Sequence, residues 1–450
     1  MKDRRIEGEP IGNSSSRPPV RDRRAAIWPR GVPRQWPLAG FAIGLSLLAC
    51  ASVLSPGAAE DLGEPFQRAA IEHVAVLDLQ SDRLIPDQTI LLAGRSIEAV
   101  GPANRIEVPA GALRFDGSGR IAMPGLSDMH VHSVTTDRLA LLGYGITTVR
   151  VMWGTPAQAG LALAVEAGDS LGPEILLASP GHDGTPASWP LTRFVLDAAA
   201  AGPAVAQVAA EGWRWLKVYD RLSLPAYRAL LAEAHARNVE VVGHVPFAVP
   251  LDTALALRQR SIEHLAGYAG ALNGTLPSSA GLWATANPAA MPALAARTAA
   301  AGTWNCPTLV TTITLAKALF PASAAAITRN RRAMVKALFD AGAPLLIGTD
   351  SGIDVVPPGS ALIDELAEFV VAGIPPAAAL SAATVGAARF LGRDAAGTLT
   401  PGAPANVLIL DRDPRTSLET LRAPRALFVS GRRLDRDDLA RLRSAERSGP

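Results

Sequence analysis

Met123-Pro-Gly-Leu-Ser-Asp-Met-His-Val-His132 joins a turn to a short apolar run that ends in two histidines one residue apart. Residues two apart in an extended segment face the same way, so His130 and His132 present both imidazoles to one side, as a metal-ligand pair requires. Four more groups follow in order, each closing its own apolar run. They are Lys217 in Trp213-Arg-Trp-Leu-Lys, His244 in Val241-Val-Gly-His, His264 in Ser261-Ile-Glu-His and Asp350 in Leu345-Leu-Ile-Gly-Thr-Asp. A single histidine of this kind reads best as a hydrogen-bonded structural residue. Six groups of these types, all at strand ends, point instead to a two-metal site. Imidazole and carboxylate suit Zn2+ and similar divalent ions; a lysine ammonium, charged and donating only, does not.

Around these runs, apolar segments alternate with helical patterns eight times between Ile121 and about Arg393, with strands expected near Ile121, Ile146, Glu174, Trp213, Val239, Ser261, Trp304 and Pro344. Repeated βα units predict an α/β fold, a (β/α)8 TIM-like barrel over residues 123–399, whose functional groups come from the C-terminal strand ends. The helix after the fourth strand is the best delimited, with Ser223 as N-cap, Pro225 in its first turn and Asn238 at its end. Two connections, Gly184 to Gly212 and Ala266 to Gly302, exceed what a barrel needs, and each holds a tryptophan, Trp189 and Trp283. They are expected to cover the site, although Ala289 to Ala301 also reads as an outer helix. Short alternating runs in 60–122, such as His73-Val-Ala-Val-Leu-Asp78 and Thr89-Ile-Leu-Leu92, return at Ala405–Leu410 and Ala426–Ser430. They predict a small β-sandwich built from 60–122 and 400–436, followed by a solvated charged tail over 437–450.

The composition of the 450 residues, 48% hydrophobic and 19% charged, is that of a globular chain. Its net charge of +2 misleads, because residues 1–36 carry +5 and the remainder −3. No nucleic-acid surface is therefore expected. Residues 35–59 hold no charge and follow a basic stretch, the build of an export signal. The expectation is an exported protein of the periplasm, either cleaved near Ala59 or attached to a membrane through Cys50, since Leu47-Leu-Ala-Cys50 resembles a bacterial lipobox. Retention as an uncleaved anchor is the third alternative. With only Cys50 and Cys306 present, no intrachain disulfide is expected. A small-molecule substrate is the expected partner, and homo-oligomers are compatible with the sequence.

The ordered set resembles the amidohydrolase superfamily, in the branch with a dinuclear centre and a carboxylated lysine. Within it, Ile121-Ala-Met-Pro-Gly-Leu-Ser-Asp-Met-His-Val-His, Gly145-Ile-Thr-Thr-Val-Arg, Leu216-Lys-Val-Tyr, Gly243-His-Val-Pro and Gly348-Thr-Asp-Ser-Gly are similar to imidazolonepropionase-like and Xaa-Pro dipeptidase-like members, over roughly residues 66–436. The resemblance implies that His130, His132 and Asp350 hold one metal ion, that His244 and His264 hold the other, and that a CO2-derived carbamate on Lys217 bridges them. It further implies a hydroxide between the metals as nucleophile and Asp350 as general base and then acid, acting on a dipeptide or N-acyl amino acid. Tyr219, two residues after Lys217, is a candidate oxyanion donor. His182 and Arg150 are candidate substrate contacts, with a structural ion pair as the other reading of Arg150. Cyclic-amide hydrolysis and deamination are the alternatives inside the superfamily, and Lys217 argues against the second; a non-catalytic binding protein is the alternative outside it.

Overall fold

In the computed structural model the residues described are 62–444. The export-signal and lipobox readings of residues 1–59 fall outside them, as does the end of the tail. None of the described helices is long and apolar enough to cross a membrane.

The two chain ends meet in one nine-stranded sheet. Its order is Glu64–Pro65, Arg432–Asp435, Ala426–Val429, Val407–Leu410, Ile121–Pro124, Arg68–Asp78, Arg83–Ala93 and Ser96–Pro102, with Leu113–Asp116 also paired to Arg68–Asp78. Period-2 alternation divides its side chains between two cores. Val407, Ile409 and Phe428 join Ile71, Val74 and Ile90 on one face, while Leu408, Leu410 and Leu427 join the large core beneath the helices on the other. The strands expected for the sandwich all belong to this one sheet. The expected first barrel strand also divides in two: Ile121–Pro124 belongs to this sheet and Leu126–Val131 to the parallel strands. The break falls at Gly125, where a Cβ would lie 2.3 Å from Thr147 Oγ1.

The parallel strands form a three-stranded sheet, Leu126–Val131, Ile146–Val151 and Glu174–Leu177, and a six-stranded one. The second runs from Arg193–Phe194 and His182–Asp183 through Trp215–Val218, Glu240–Gly243 and Ser261–Glu263 to Trp304–Cys306. Single parallel bridges, Ala178 with Trp215 and Asn305 with Leu345, extend the order, and Val131 pairs likewise with Ser351. The segment expected as the eighth strand is thus held by isolated bridges and by bonds such as Met129 N–H to Ile347 O (2.9 Å). Pro344 brings no N–H to its start, and Asp350, with φ of 62°, bends out of its end. Inward side chains including Met129, Trp215, Val242 and Cys306 form an interior cluster closed from below by Phe390, whose ring lies 5.8 Å from Trp215 and 5.5 Å from Trp304.

Ser223 caps the helix Leu224–Ala236 through Ala226 N–H (3.3 Å), and Leu230 and Leu231 are buried. The tail differs from the expectation of a solvated helix. Arg436–Ser444 buries Leu439 and Leu442, and Arg443 donates to Gly143 O at 2.7 Å. Its charges alternate with an apolar stripe that packs on the helix Arg138–Gly143.

Phe390→Ala, which opens the base of the interior cluster, is expected to cost about 3–5 kcal/mol of unfolding free energy. Leu319→Ala, at a position 65% exposed, is expected to stay within about 0.5 kcal/mol. Urea denaturation compares them, and equal midpoints would contradict the packing described.

Candidate active site

His264 and Asp350 leave their strands through a bend, and His244 follows one at Gly243. The φ angles of His264, Asp350 and Gly243 are 59°, 62° and 125°. The first two are costly for residues with a Cβ, and such conformations persist where the surroundings determine them. At Gly243 a Cβ would lie 2.2 Å from Val218 O and 2.9 Å from Lys217 Cδ, so glycine makes room for the lysine.

These bends gather the ligand-type groups. The Asp350 carboxylate lies 2.9 Å from His132 Nε2 and 3.2 Å from His130 Nε2, and His264 Nδ1 is 3.9 Å away. The imidazole centroids of His130 and His132 are 5.3 Å apart, those of His130 and His264 4.6 Å, and those of His264 and His244 4.8 Å. Donor atoms of His130, His264 and Asp350 all fall within 4.8 Å of one another. Lys217 sits beside them, 1% exposed, its Nζ without a hydrogen-bond partner and 5.7 Å from the Tyr219 ring.

Three rings are fixed from behind. His130 Nδ1 bonds Glu263 Oε2 (2.9 Å), His244 Nδ1 bonds Asp220 Oδ1 (2.7 Å), and His264 Nδ1 bonds Thr308 Oγ1 (2.6 Å), whose own proton goes to Pro307 O. Acceptors at Nδ1 place the proton there and leave Nε2 of a neutral ring with its lone pair. Burial holds His132 below the ordinary histidine value and His264 well below it, against the pull of Asp350. Burial also works against the Asp350 anion, yet His264 and His130 keep it well below the usual carboxylate range. With its proton at Nδ1, His130 turns the Nε2 lone pair toward Asp350 at 3.2 Å, a repulsion that a cation between them would relieve, so the residues fit divalent metal. Burial lowers Lys217 to about 8, although Glu263 and Asp350 favour its charge, which brings the neutral amine within reach near neutral pH.

Beneath this layer lies a second one that the sequence reading missed. Glu263, fully buried, takes both Nη2 contacts of Arg150 (3.0 and 3.0 Å) and the Ser261 hydroxyl (2.5 Å). Despite burial, Arg150 and His130 hold it below the normal glutamate value. Arg150, proposed from sequence as a substrate contact, is corrected here: it is completely buried and gives its other donors to Met129 O and Ser261 Oγ. Of its two readings the structural pair holds, because a guanidinium with this many internal acceptors has no face left for substrate. Asp128 accepts from His130 N–H, Thr349 N–H and Thr349 Oγ1, tying the first strand to the segment that carries Asp350. Glu365 accepts Leu309 N–H (2.9 Å) and Val310 N–H (2.7 Å), pinning the residues next to Thr308.

His182 is buried beside Lys217, with Nδ1 3.3 Å from Lys217 O and Nε2 unpartnered, and burial lowers it to about 4. Tyr219 stacks on His244 at 4.1 Å, and burial raises its phenol pKa. Of the two expected lid tryptophans, Trp189 donates its indole N–H to Tyr219 Oη at 2.7 Å, whereas Trp283 is 1% exposed and belongs to the core. Cys306 is buried, as a small apolar residue would be, with its Sγ within 4.8 Å of donor atoms of His130 and Glu263. Neutral imidazoles about one carboxylate suit activation of water rather than covalent catalysis, which is the class of metal-dependent hydrolases.

The amidohydrolase family matches residues 121–434. The chain belongs to that family and is a hydrolase of carbon–nitrogen bonds. No match was found among curated protein sequences. Among solved structures, the chain is similar to a protein from Bifidobacterium longum described as a prolidase, with 25% identity, 86% of this chain and all of that one covered, and a TM-score of 0.68. A bottromycin amidohydrolase shares 27% identity over 84% of this chain and 91% of its own, with a TM-score of 0.69. A Xaa-Pro dipeptidase with methionine bound in its active site, 18% identical, shares the fold over 82% of this chain and all of its own, with a TM-score of 0.67.

Glu263→Gln leaves Arg150 buried without its counter-charge and is expected to cost about 3–5 kcal/mol, read by urea denaturation; a loss below about 1 kcal/mol would mean that the pair is dispensable. Glu365 gives a pH signature. Burial lifts its pKa from 4.5 to about 8, with the two backbone donors opposing. The folded state therefore holds the proton more tightly than the unfolded one, and stability falls as pH rises between those values. Glu365→Gln is expected to flatten that slope between pH 5 and 8, and an unchanged slope would assign the dependence elsewhere.

Proposed function

We propose that the protein is an exported dinuclear amidohydrolase that cleaves the amide bond of a dipeptide or N-acyl amino acid. The observation that carries this reading is the buried, unpartnered Lys217 amine beside imidazoles whose Nδ1 atoms are already committed. His130, His132 and Asp350 would hold one divalent ion, and His244 and His264 the other. Bound there, the ions supply an activated water and polarise the scissile carbonyl. Zn2+ is the proposed metal, from the nitrogen-rich donor set. The neutral Lys217 amine would take up CO2, losing a proton, to give a carbamate anion with two donor oxygens.

Within this reading Asp350 takes the proton of the attacking water and returns it to the leaving nitrogen. Its anion, held well below the usual range, is the form a base needs. Tyr219 donates its phenol proton to an oxygen of the substrate, and His182, neutral and buried, offers Nε2 beside Lys217. The parallel strands are read as one (β/α)8 barrel, supported by the bridges from Ala178 to Trp215, Asn305 to Leu345 and Val131 to Ser351. The dipeptide class draws support from the prolidase and Xaa-Pro dipeptidase among similar structures. Export rests on the uncharged run 35–59 behind a basic segment.

Three measurements test this reading. A chain starting near Glu60, purified without chelator, is expected to hold about two metal ions, as a bridged pair requires; about one would favour a mononuclear, deaminase-like site, and none after reconstitution with Zn2+ and bicarbonate a binding protein. Asp350→Asn is expected to lower kcat on a responsive dipeptide on the order of 1,000-fold with metal retained, and an equal rate would remove Asp350 from proton transfer. Lys217→Ala is expected to lose activity and regain part of it with formate or propionate; full activity without either would refute the carbamate.

A further inference from the structure

We infer that Trp189 is a positioning residue: by giving its indole N–H to the Tyr219 hydroxyl, it turns the phenol proton toward the substrate. The inference rests on the hydrolase reading and deepens it. The bond is 2.7 Å between Trp189 Nε1 and Tyr219 Oη. An indole N–H only donates, so the phenol oxygen must accept, and the phenol keeps its own proton for a second partner. No acceptor for that proton is present among the described residues.

The tyrosine ring cannot turn away to find one. It is packed on His244 at 4.1 Å, the two rings tilted by 36°, and edge-on against Trp153 at 5.3 Å. A phenol proton prefers the ring plane, on one side of the oxygen or the other. With the indole already donating to the oxygen, the phenol proton is left for an acceptor in the site, into which the same strand presents Lys217.

The connection that carries Trp189 is fastened at both sides of the indole. Asp183 accepts Gly184 N–H (2.9 Å) and the Ser188 hydroxyl (2.7 Å), Arg221 reaches Ser188 Oγ, and Trp153 Nε1 donates to Pro190 O (3.0 Å). Trp189 itself remains 44% exposed. An indole left this open in a tied-down turn is held for its contact with Tyr219 rather than for core packing.

A double-mutant cycle with an exchange measurement tests the assignment. Trp189→Phe keeps an aromatic ring and removes the donor; it is expected to lower kcat/KM about tenfold in the wild-type background, the scale of one hydrogen bond. In a Tyr219→Phe background the same change is expected to alter kcat/KM less than about twofold, because the group it acts through is gone. Equal losses in both backgrounds would mean that Trp189 acts independently of Tyr219 and would overturn the inference. Hydrogen–deuterium exchange needs no substrate: Tyr219→Phe is expected to raise amide exchange several-fold over residues 187–191, and unchanged exchange would overturn the contact. A panel without turnover counts against the hydrolase reading alone, and the exchange result then decides the contact by itself.

Discussion

The buried pair of Arg150 and Glu263 is the constraint on which the site above it depends. Glu263 uses one carboxylate for two tasks, neutralising Arg150 and orienting His130 through Nδ1. Taking these charges out of water costs several kcal/mol per ion, and the attraction between them offsets it only when the remaining hydrogen bonds are made. Here they are made, by Ser261 Oγ and Met129 O, with Phe390 stacked 4.8 Å beneath the guanidinium. Moving any member shifts His130, so the interior cluster and the ligand geometry are one packing problem.

Much of this arrangement was legible in the residue order. The six ligand-type groups, the βα rhythm, the Ser223 cap and the participation of both chain ends follow from periodicity and turn chemistry, which act locally. Arg150 shows where that reasoning stops. Its place on the second strand offered a substrate carboxylate or a protein one, and only the position of Glu263 across the sheet distinguishes them. The tail misled for a related reason: its charges outnumber its leucines, but Leu439 and Leu442 fall on one face and find a surface to cover.

Glu263 escaped notice through strict alternation. In Ser261-Ile-Glu-His the period of two puts Glu263 and His264 on opposite faces, so choosing His264 as inward makes Glu263 outward. The backbone breaks the rule at that point, with φ of 59° at His264 and 53° at Leu265, and both side chains reach the interior. The same positive φ at Asp350 ends the ladder that a regular eighth strand would have continued. At His264 and Asp350 sequence periodicity fails where the ligand-type group turns into the site, whereas His130 and Lys217 reach it from regular strands.

The charge distribution gives the same answer by another route. Arg150 compensates Glu263, but Asp350 faces His132 and His264, which burial favours as neutral rings. Lys217, the one further cation of this layer, is itself weakened by burial to about 8. Asp350 then stands in a low-dielectric pocket without a full counter-charge, a state that is costly unless positive charge is supplied from outside the chain. The carbamate proposed on Lys217 would add a further negative group, which the two proposed dications would balance.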